Sequence, residues 1–387
     1  MIEDRLHAEL AEIADLGLTR RRRVLDTPCG RTATVDGKNA LNFASNDYLG
    51  LAGNTELAAA MADGATTWGT GSGASHLVSG HLAPHEAIEQ ALARFTGFAR
   101  CLTFSTGYLA NLAVTPTFAG RGDAVFADKL NHASLIDAMQ LAKANGAGVQ
   151  RYPHNDMAAL ERQLAATTAT NKLIVTDAVF SMDGDLAPLP LLLDLARRYD
   201  AWLVIDDAHG FGVLGPQGKG SLAHFNLSAD ARILLMGTLG KAAGVGGAFV
   251  AGSETAIEYL LQKGRSYIFT TAAPPAIASA LLKSLQLIAD GDSLRQRLFA
   301  NIAQLREGVR SLPWPLLPSA TAIQPLIIGD NSACVALSQG LWERCLWVPA
   351  IRPPTVPKGS ARLRICVSAA HTSADIEQLI TALGELA

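Results

Sequence analysis

Between about residue 55 and residue 252 the sequence alternates short apolar runs with amphipathic stretches. Apolar, β-prone runs bounded by polar and glycine positions are typical of buried strands, whereas apolar residues at helical spacing predict helices. The predicted strands are 101–105, 124–128, 149–152, 172–177, 202–206, 233–237 and 247–251. The predicted helices include 84–97, 107–119, 132–145, 156–166 and 188–199. This alternation predicts a three-layer α/β/α domain, in which helices cover both faces of a mostly parallel sheet of seven strands.

The segment before this alternation predicts a small amino-terminal arm. Residues 3–23 carry apolar positions at helical spacing and predict an amphipathic helix that ends in the run Arg20 to Arg23. Residues 31–43 predict an antiparallel hairpin, because Asp36-Gly37 is a strong turn signal between two strand-like runs.

The segment after the alternation predicts a smaller α+β unit. Strand patterns at 323–328 and 362–367 flank a predicted helix at 332–344. Thr372 and Asp375 form a capping-box pattern before a last amphipathic helix. We therefore predict three parts, which are an arm over 1–45, a large domain over 46–285 and a small carboxyl-terminal domain over 286–387.

The composition describes a globular protein and narrows its partners. Of 387 residues, 49% are hydrophobic and 17% are charged, and the net charge of −3 offers no basic footprint for nucleic acid or an anionic membrane. The five scattered cysteines form no Cys-x-x-Cys pair, so we expect no disulfide framework and a reducing, cytoplasmic setting. The start, Met1 to Leu6, lacks the apolar core of a signal peptide, and no apolar run reaches the roughly 18–20 residues that span a bilayer.

Reactive side chains follow two neighbouring predicted strands. Asp206-Asp207-Ala208-His209-Gly210 follows 202–205, and Thr238-Leu239-Gly240-Lys241 follows 233–236. Open α/β sheets bind ligands at the carboxyl ends of their strands. A lysine there can form a Schiff base, and a buried acid there can hold a pyridine nitrogen protonated, which together suit pyridoxal 5′-phosphate (PLP). Asp206 is the better candidate because Asp207 should point to the other side of the strand. A surface loop lysine is the alternative reading of Lys241.

Other polar residues at the same sheet edge suit the rest of this cofactor. His132 follows strand 124–128 and could stack on the ring, while His209 could bind the phenolic oxygen or simply cap the strand end. The turn Ser105 to Tyr108 starts a helix with a glycine and predicts a phosphate seat, to which Thr238 could add a hydroxyl. Ser181 could contact the ring or its phenolic oxygen, or be a turn residue.

Three further features lie outside these strand ends. Arg352, in a proline-stiffened loop, is a candidate for binding a substrate carboxylate, with an exposed ion-pairing arginine as the alternative. The glycine-rich segment 69–75 matches neither nucleotide-loop pattern and predicts a flexible segment near the active site or a subunit interface. His76, His81 and His85 lack a carboxylate or cysteine set with metal-ligand spacing, so we expect no metal.

Five motifs in order resemble those of the α-oxoamine synthases, which belong to the aspartate-aminotransferase-like, fold type I, PLP enzymes. The motifs are Ser45-Asn46-Asp47-Tyr48-Leu49-Gly50, Asn131-His132-Ala133-Ser134, Phe180-Ser181-Met182-Asp183-Gly184-Asp185, Asp206-Asp207-Ala208-His209-Gly210 and Thr238-x-x-Lys241. The resemblance runs from about residue 3 to the carboxyl terminus. Ala74 and His76 depart from it, since the family commonly has glycine and arginine there.

The resemblance implies a role for each matching residue. Lys241 is expected to bond to the cofactor and to remove a substrate proton, Asp206 to bind the pyridine nitrogen, and His209 to bind the phenolic oxygen. His132 is expected to stack on the ring and to contact substrate. The other cofactor positions are Gly107, Tyr108, Ser181, Thr238 and, reaching a neighbouring subunit's phosphate, Thr271. The other substrate positions are Arg20, Asn46, Arg352 and Thr355.

The resemblance also implies a reaction and an assembly. The loop Ile351 to Pro357 is most similar to members that condense L-alanine with a pimeloyl thioester, of CoA or acyl carrier protein, and release carbon dioxide in biotin biosynthesis. Such members are homodimers with active sites at the interface. Arg21 stays open as the alternative to Arg20, because the register within the arginine run can slip by one. The rival functions are a related synthase that uses glycine and another acyl-CoA, a catalytically silent subunit, and an ordinary aminotransferase.

Overall fold

The computed structural model describes residues 2–15 and 18–387, and its helices and strands are numbered here in chain order. The amino-terminal part comprises α1 (Ile2–Asp15), β1 (Thr32–Val35) and β2 (Lys38–Asn42). The predicted helix over 3–23 is therefore too long, since residues 18–24 are not helical. The like charges of the arginine run disfavour further helical turns. The predicted hairpin is confirmed, and Asp36 and Gly37 both have positive φ, as its tight turn requires.

The middle of the chain forms the predicted seven-stranded sheet and its covering helices. In order, the elements are α2 (Thr55–Trp68), a π-helical turn (His76–Gly80), α3 (Ala83–Thr96), β3 (Arg100–Phe104), α4 (Gly107–Phe118), β4 (Ala124–Asp128), α5 (Ala133–Ala144), β5 (Gly148–Tyr152), α6 (Met157–Ala166), β6 (Lys172–Asp177), α7 (Leu189–Arg198), β7 (Trp202–Asp206), a 3₁₀ turn (Pro216–Gly218), α8 (Ser221–His224), β8 (Ile233–Thr238), β9 (Ala248–Gly252), α9 (Glu254–Lys263), α10 (Arg265–Ile268) and α11 (Pro275–Ala289).

The sheet has the strand order β3-β9-β8-β7-β6-β4-β5, in which β9 runs antiparallel to the other six strands. Its residues are buried on both faces because alternate side chains enter two apolar cores. Leu203 and Ile205 of β7 pack in one core, whereas Val204 packs in the other. The register places Asp177 beside Asp206 at the carboxyl ends of β6 and β7. The predicted fold class is therefore confirmed.

The carboxyl-terminal part adds α12 (Asp292–Gly308), β10 (Ile323–Gly329), α13 (Asn331–Glu343), β11 (Leu346–Trp347), β12 (Ala350–Ile351), β13 (Ala361–Cys366) and α14 (Ser373–Glu385). β10, β13 and β12 form an antiparallel sheet, while β11 pairs in parallel with β2 of the arm. Thr372 and Asp375 cap α14 reciprocally, as predicted. The predicted boundary at residue 285 falls within α11, and the division into three parts stays a prediction. Within the described residues, every helix is too short or too polar to cross a bilayer.

Candidate active site

A cavity of about 170 Å³ lies at the carboxyl ends of β6, β7 and β8. Seven of the predicted site residues line it together, namely Gly107, Tyr108, His132, Asp206, His209, Thr238 and Lys241. Ser134, Asp177, Ala208 and Met236 complete its wall. Parallel strands and the helices that follow them bring these distant segments to one edge.

Lys241 and His209 are in contact within this cavity. Nζ of Lys241 lies 2.8 Å from Nε2 of His209, and Nδ1 of His209 lies 2.6 Å from the hydroxyl of Tyr48. Burial lowers the pKa of Lys241 to about 8, and the Arg364 charge adds to this effect against the attraction of Asp206. Burial also holds the pKa of His209 well below its usual value, and the Lys241 charge acts in the same direction. A neutral imidazole beside a readily deprotonated amine is an arrangement that can accept and release protons.

Asp206 is buried, with 3% of its surface exposed, and is held by two hydrogen bonds. Its Oδ2 accepts from Nδ2 of Asn111 at 2.7 Å, and its Oδ1 accepts from the backbone N–H of Ala208 at 3.0 Å. Asp207 instead faces Ser221, whose backbone N–H donates to Oδ2 at 2.8 Å. The interpretation that Asp206, and not Asp207, faces the cavity is therefore confirmed.

His132 precedes the first turn of α5 and lies beside a carboxylate that the sequence reasoning missed. Its backbone N–H donates to Oδ2 of Asp177 at 2.7 Å, and its Nδ1 lies 2.7 Å from the hydroxyl of Ser134. Burial raises the pKa of Asp177 well above its usual value, and the neighbouring Asp206 charge adds to the shift. The signal for Asp177 was present, because it ends a predicted strand of the same sheet. The cavity thus contains two carboxyl groups in different surroundings. Burial disfavours the charged form of Asp177, whereas Asp206 accepts two hydrogen bonds.

The opposite side of the cavity is the amino-terminal end of α4. Thr106 caps this helix by accepting from the Leu109 N–H at 3.2 Å, so Gly107 and Tyr108 occupy the first turn. The hydroxyl of Tyr108 donates to the carboxylate of Asp137. Thr238 completes this end of the cavity. A helix amino terminus next to a hydroxyl is a suitable seat for a phosphate group.

Asn46 and Ser181 do not line this cavity but meet at Arg364, a residue that the sequence patterns did not single out. Nη1 of Arg364 donates to Oδ1 of Asn46 at 3.1 Å, and its Nε donates to the carbonyl of Ser181 at 2.6 Å. Oδ1 of Asn46 also accepts from the Tyr48 hydroxyl at 3.0 Å. A hydrogen-bonded path therefore joins Arg364 to His209. The sequence does indicate Arg364 in one respect, because an arginine inside a predicted buried strand is unusual and needs a partner.

Arg20, Arg352 and Thr355 do not line the first cavity. They line a second one of about 350 Å³, together with apolar residues that include Ile13 and Ile351. Arg20 and not Arg21 belongs to this lining. Two guanidinium groups among apolar side chains suit a chain that is apolar along its length and ends in an anion.

Thr271 lies outside both of these cavities and is exposed. The neighbouring Ala272 N–H donates to the carbonyl of Ala74 at 3.0 Å, and the Ser72 hydroxyl donates to the carbonyl of Ala273 at 2.6 Å. The glycine-rich segment is thus fixed against residues 271–273. The expected role of Thr271 toward a neighbouring subunit stays a prediction.

His76, His81 and His85 lie together, with one ligand atom of each within 4.8 Å of the others. The expectation that no carboxylate joins them is wrong, since Glu86 and Glu89 lie within the same distance of His81. The α3 helix turn brings these acids to the histidines, which sequence spacing alone did not reveal. Five of the six ring nitrogens already have protein partners. His81 binds Nδ1 of His76 and Glu86, and His85 binds the Leu82 N–H and the Ala273 carbonyl. We therefore propose no metal for this cluster.

The donor set of the first cavity fits PLP. The cofactor needs an amine, an acid for its pyridine nitrogen, a flat partner and an anion seat. Lys241, Asp206, His132 and the start of α4 supply these four groups within one cavity.

The chain is similar to known enzymes along its whole length. The aminotransferase class I and II family profile matches residues 38–383. An 8-amino-7-oxononanoate synthase of Dechloromonas aromatica is 80% identical over 387 residues, which is all of both chains. A solved serine palmitoyltransferase of Sphingomonas wittichii has a TM-score of 0.92 at 30% identity, covering 99% of this chain and 96% of the other. A solved structure of SPT with a PLP internal aldimine has the same TM-score, the same identity and the same coverage of both chains.

These matches agree with the motifs, the sheet order and the cavity. PLP is the cofactor of this protein. The chain belongs to the aminotransferase class I and II family, and within its fold type I enzymes to the α-oxoamine synthases.

Proposed function

We propose that this protein is a PLP-dependent acyltransferase of biotin biosynthesis, which condenses L-alanine with a pimeloyl thioester to give 8-amino-7-oxononanoate. The observation that carries the proposal is that Lys241, Asp206 and His209 share one cavity. The choice of substrates rests on the relative that is 80% identical over all 387 residues. The acyl group would come from CoA or from acyl carrier protein.

When bound, PLP joins covalently to an amine and its protonated ring withdraws electrons from the carbon next to that amine. Asp206 would hold the ring nitrogen, His132 the ring face and His209 the phenolic oxygen. The phosphate would lie at the start of α4, near Thr238. Ser181 does not line the cavity. Its carbonyl accepts a hydrogen bond from Arg364, so it would act on the cofactor from the cavity's edge.

Lys241 is the group that we expect to move the proton of the reaction. Its pKa of about 8 leaves part of the amine neutral near neutral pH, so Nζ can take the proton from the Cα atom of alanine. A new bond then joins this Cα to the thioester carbonyl carbon, the carbon–sulfur bond breaks, and the thiol leaves. The alanine carboxylate departs as carbon dioxide, and Cα takes a proton again.

The carboxylate of alanine and the far carboxylate of the pimeloyl group would each bind at a different arginine site. The family resemblance implies that Arg352 binds the substrate, but Arg364 acts on Lys241 through its charge, whereas Arg352 lines the second cavity. We therefore assign the alanine carboxylate to Arg364 and Asn46. Arg352, Arg20 and Thr355 would bind the acyl chain, whose far end is a carboxylate in a pimeloyl group. The apolar side chains of the second cavity support this assignment.

We also infer a homodimer with active sites at the interface. The exposed apolar face of α1, which includes Leu6 and Leu10, supports an apolar partner surface, and Thr271 is free to reach another subunit. The five unpaired cysteines support a cytoplasmic location.

The competing function is a related synthase that joins glycine or serine to a different acyl-CoA, and the likeness to serine palmitoyltransferase supports it. The test is to offer L-alanine, glycine or L-serine to the PLP-loaded protein, each with pimeloyl-CoA, acetyl-CoA or palmitoyl-CoA, and to identify products by mass spectrometry. We expect the mass of 8-amino-7-oxononanoate from L-alanine with pimeloyl-CoA. A faster reaction of any other pair would refute the proposed substrates and leave the cofactor assignment intact.

A further inference from the structure

Asn111 lies at the centre of a buried hydrogen-bond chain behind the cavity. It sits on α4 with no exposed surface, and its Nδ2 donates to Oδ2 of Asp206 at 2.7 Å and to Oγ of Ser134 at 2.9 Å. A carboxylate can only accept hydrogen bonds, so the amide nitrogen of Asn111, and not its oxygen, must face Asp206.

The chain continues from Ser134 to His132. Because Oγ of Ser134 accepts from Asn111, its own proton is available to Nδ1 of His132, which lies 2.7 Å away. The backbone N–H of Ser134 donates to the same nitrogen at 3.3 Å. Two donors on Nδ1 select the neutral imidazole that carries its proton on Nε2.

We propose that Asn111 is a positioning residue that sets, through one side chain, both the direction of the Asp206 carboxylate and the tautomer of His132. The two cofactor-facing groups would then be coupled, although they come from different strand ends. The expected change in PLP affinity rests on the proposed function, in which Asp206 and His132 both bind the ring. The expected change in the His132 tautomer depends only on the hydrogen bonds and is independent of that function.

The amide oxygen of Asn111 indicates that this residue does more than fill space. Its Oδ1 is buried and has no hydrogen-bond partner. Leaving a buried acceptor unpaired is unfavourable, and an apolar side chain of similar shape would avoid that penalty. The benefit of an amide at this position therefore comes from the two hydrogen bonds that its Nδ2 donates to Asp206 and Ser134.

The experiment compares Asn111→Leu and Ser134→Ala with the control Thr115→Val. Thr115 lies one turn farther along α4, is equally buried, and its hydroxyl has no partner. PLP affinity is measured by titrating each apoprotein, and the pH midpoint of His132 is measured in the same apoproteins by NMR of labelled histidine rings. A His132→Asn variant identifies the resonance.

We expect Asn111→Leu to weaken PLP binding about 10- to 100-fold, as loss of a bond to a charged group does. Ser134→Ala should change PLP affinity less than Asn111→Leu does and should raise the His132 midpoint most, because a donor to the neutral imidazole is lost. Asn111→Leu should raise that midpoint by a smaller amount, and Thr115→Val should alter neither quantity.

In a folded Asn111→Leu protein, either an unchanged PLP affinity or an unchanged His132 midpoint would overturn the proposal. If that variant does not fold, Ser134→Ala decides, and an unchanged midpoint there would overturn it equally. Failure of the wild-type protein to bind PLP would refute the proposed function instead, while the His132 midpoints would still test the hydrogen-bond chain.

Discussion

Nζ of Lys241 lies 2.8 Å from Nε2 of His209, so the amine and the imidazole share one hydrogen bond inside the cavity. Both groups have lowered pKa values, for which burial is the first cause. The pair therefore carries less positive charge at neutral pH than the same groups would in water. Burial thus favours the neutral amine of Lys241, the form that can act as a nucleophile or base.

The pH dependence of PLP binding should follow the Lys241 amine. Its folded pKa of about 8 lies below the ordinary lysine value, so the reactive neutral form increases as the pH rises through about 8. We expect the rate of PLP association with the apoprotein, followed by visible absorbance, to rise over that range. A rate that stays flat until about pH 10, the ordinary range of a lysine, would contradict the lowered pKa.

Arg364 and Arg352 should affect different substrates. We expect Arg364→Lys to raise the KM for L-alanine about 10-fold or more, because a bidentate guanidinium contact is lost, with little change for the pimeloyl thioester. Arg352→Ala should raise the KM for the thioester and leave that for L-alanine nearly unchanged. Steady-state kinetics with each substrate varied in turn checks this, and the reverse pattern would restore Arg352 as the alanine site.

His154 should stabilise the protein only while it is protonated. Its Nδ1 lies 3.1 Å from Oδ1 of Asp128 and its Nε2 lies 2.8 Å from Oδ2 of Asp185. Burial lowers the pKa of His154, but the bonds and charges of these two carboxylates outweigh it and raise the pKa to about 10. Because the folded pKa exceeds the unfolded one, the stabilisation is complete below about pH 6.5 and is lost as the pH rises through about 10.

The measurement for this prediction is urea unfolding of wild type and His154→Gln at several pH values. At pH 6 we expect the variant to be less stable by about 1 to 3 kcal/mol, the range for hydrogen bonds to charged groups. The difference should shrink toward pH 10. A difference independent of pH would show that packing, and not the charge, accounts for the role of His154.

Gly184→Ala should destabilise the loop that carries Ser181. Gly184 has φ +70°, and an added Cβ would lie 2.5 Å from the Ile323 carbonyl oxygen and 2.6 Å from Oγ of Ser319. Gly359 is a matched control, since its φ is +78° but nothing lies within 4 Å of an added Cβ. We expect Gly359→Ala to cost about 1 kcal/mol from backbone strain alone and Gly184→Ala clearly more, as measured by thermal unfolding. Equal losses would show that the loop yields without strain.

The sheet and its strand ends could be predicted from the sequence because buried parallel strands are continuous apolar runs. The predicted 202–206 matches β7, and 172–177 matches β6. Since ligands bind at the carboxyl ends of such strands, Asp206, His132 and Lys241 could be grouped before their distances were known.

The contacts between distant segments could not be predicted in this way. Arg364 reaches the cavity's edge only because β13 lies against residues 181–183, and Asn111 is an ordinary polar residue within a predicted helix. Arg352 has the right chemistry for a carboxylate, yet the structure places it in the second cavity. These positions depend on packing between units, which local sequence patterns do not encode.

The most direct test of the active-site assignment is to locate the bond between PLP and the chain. Borohydride reduction of the PLP-loaded protein makes that bond permanent, and peptide mass spectrometry then identifies the modified residue. We expect the pyridoxyl group on Lys241 alone, and none on the Lys241→Ala protein. Modification of a different lysine in the wild type would contradict the assignment of the cavity as the active site.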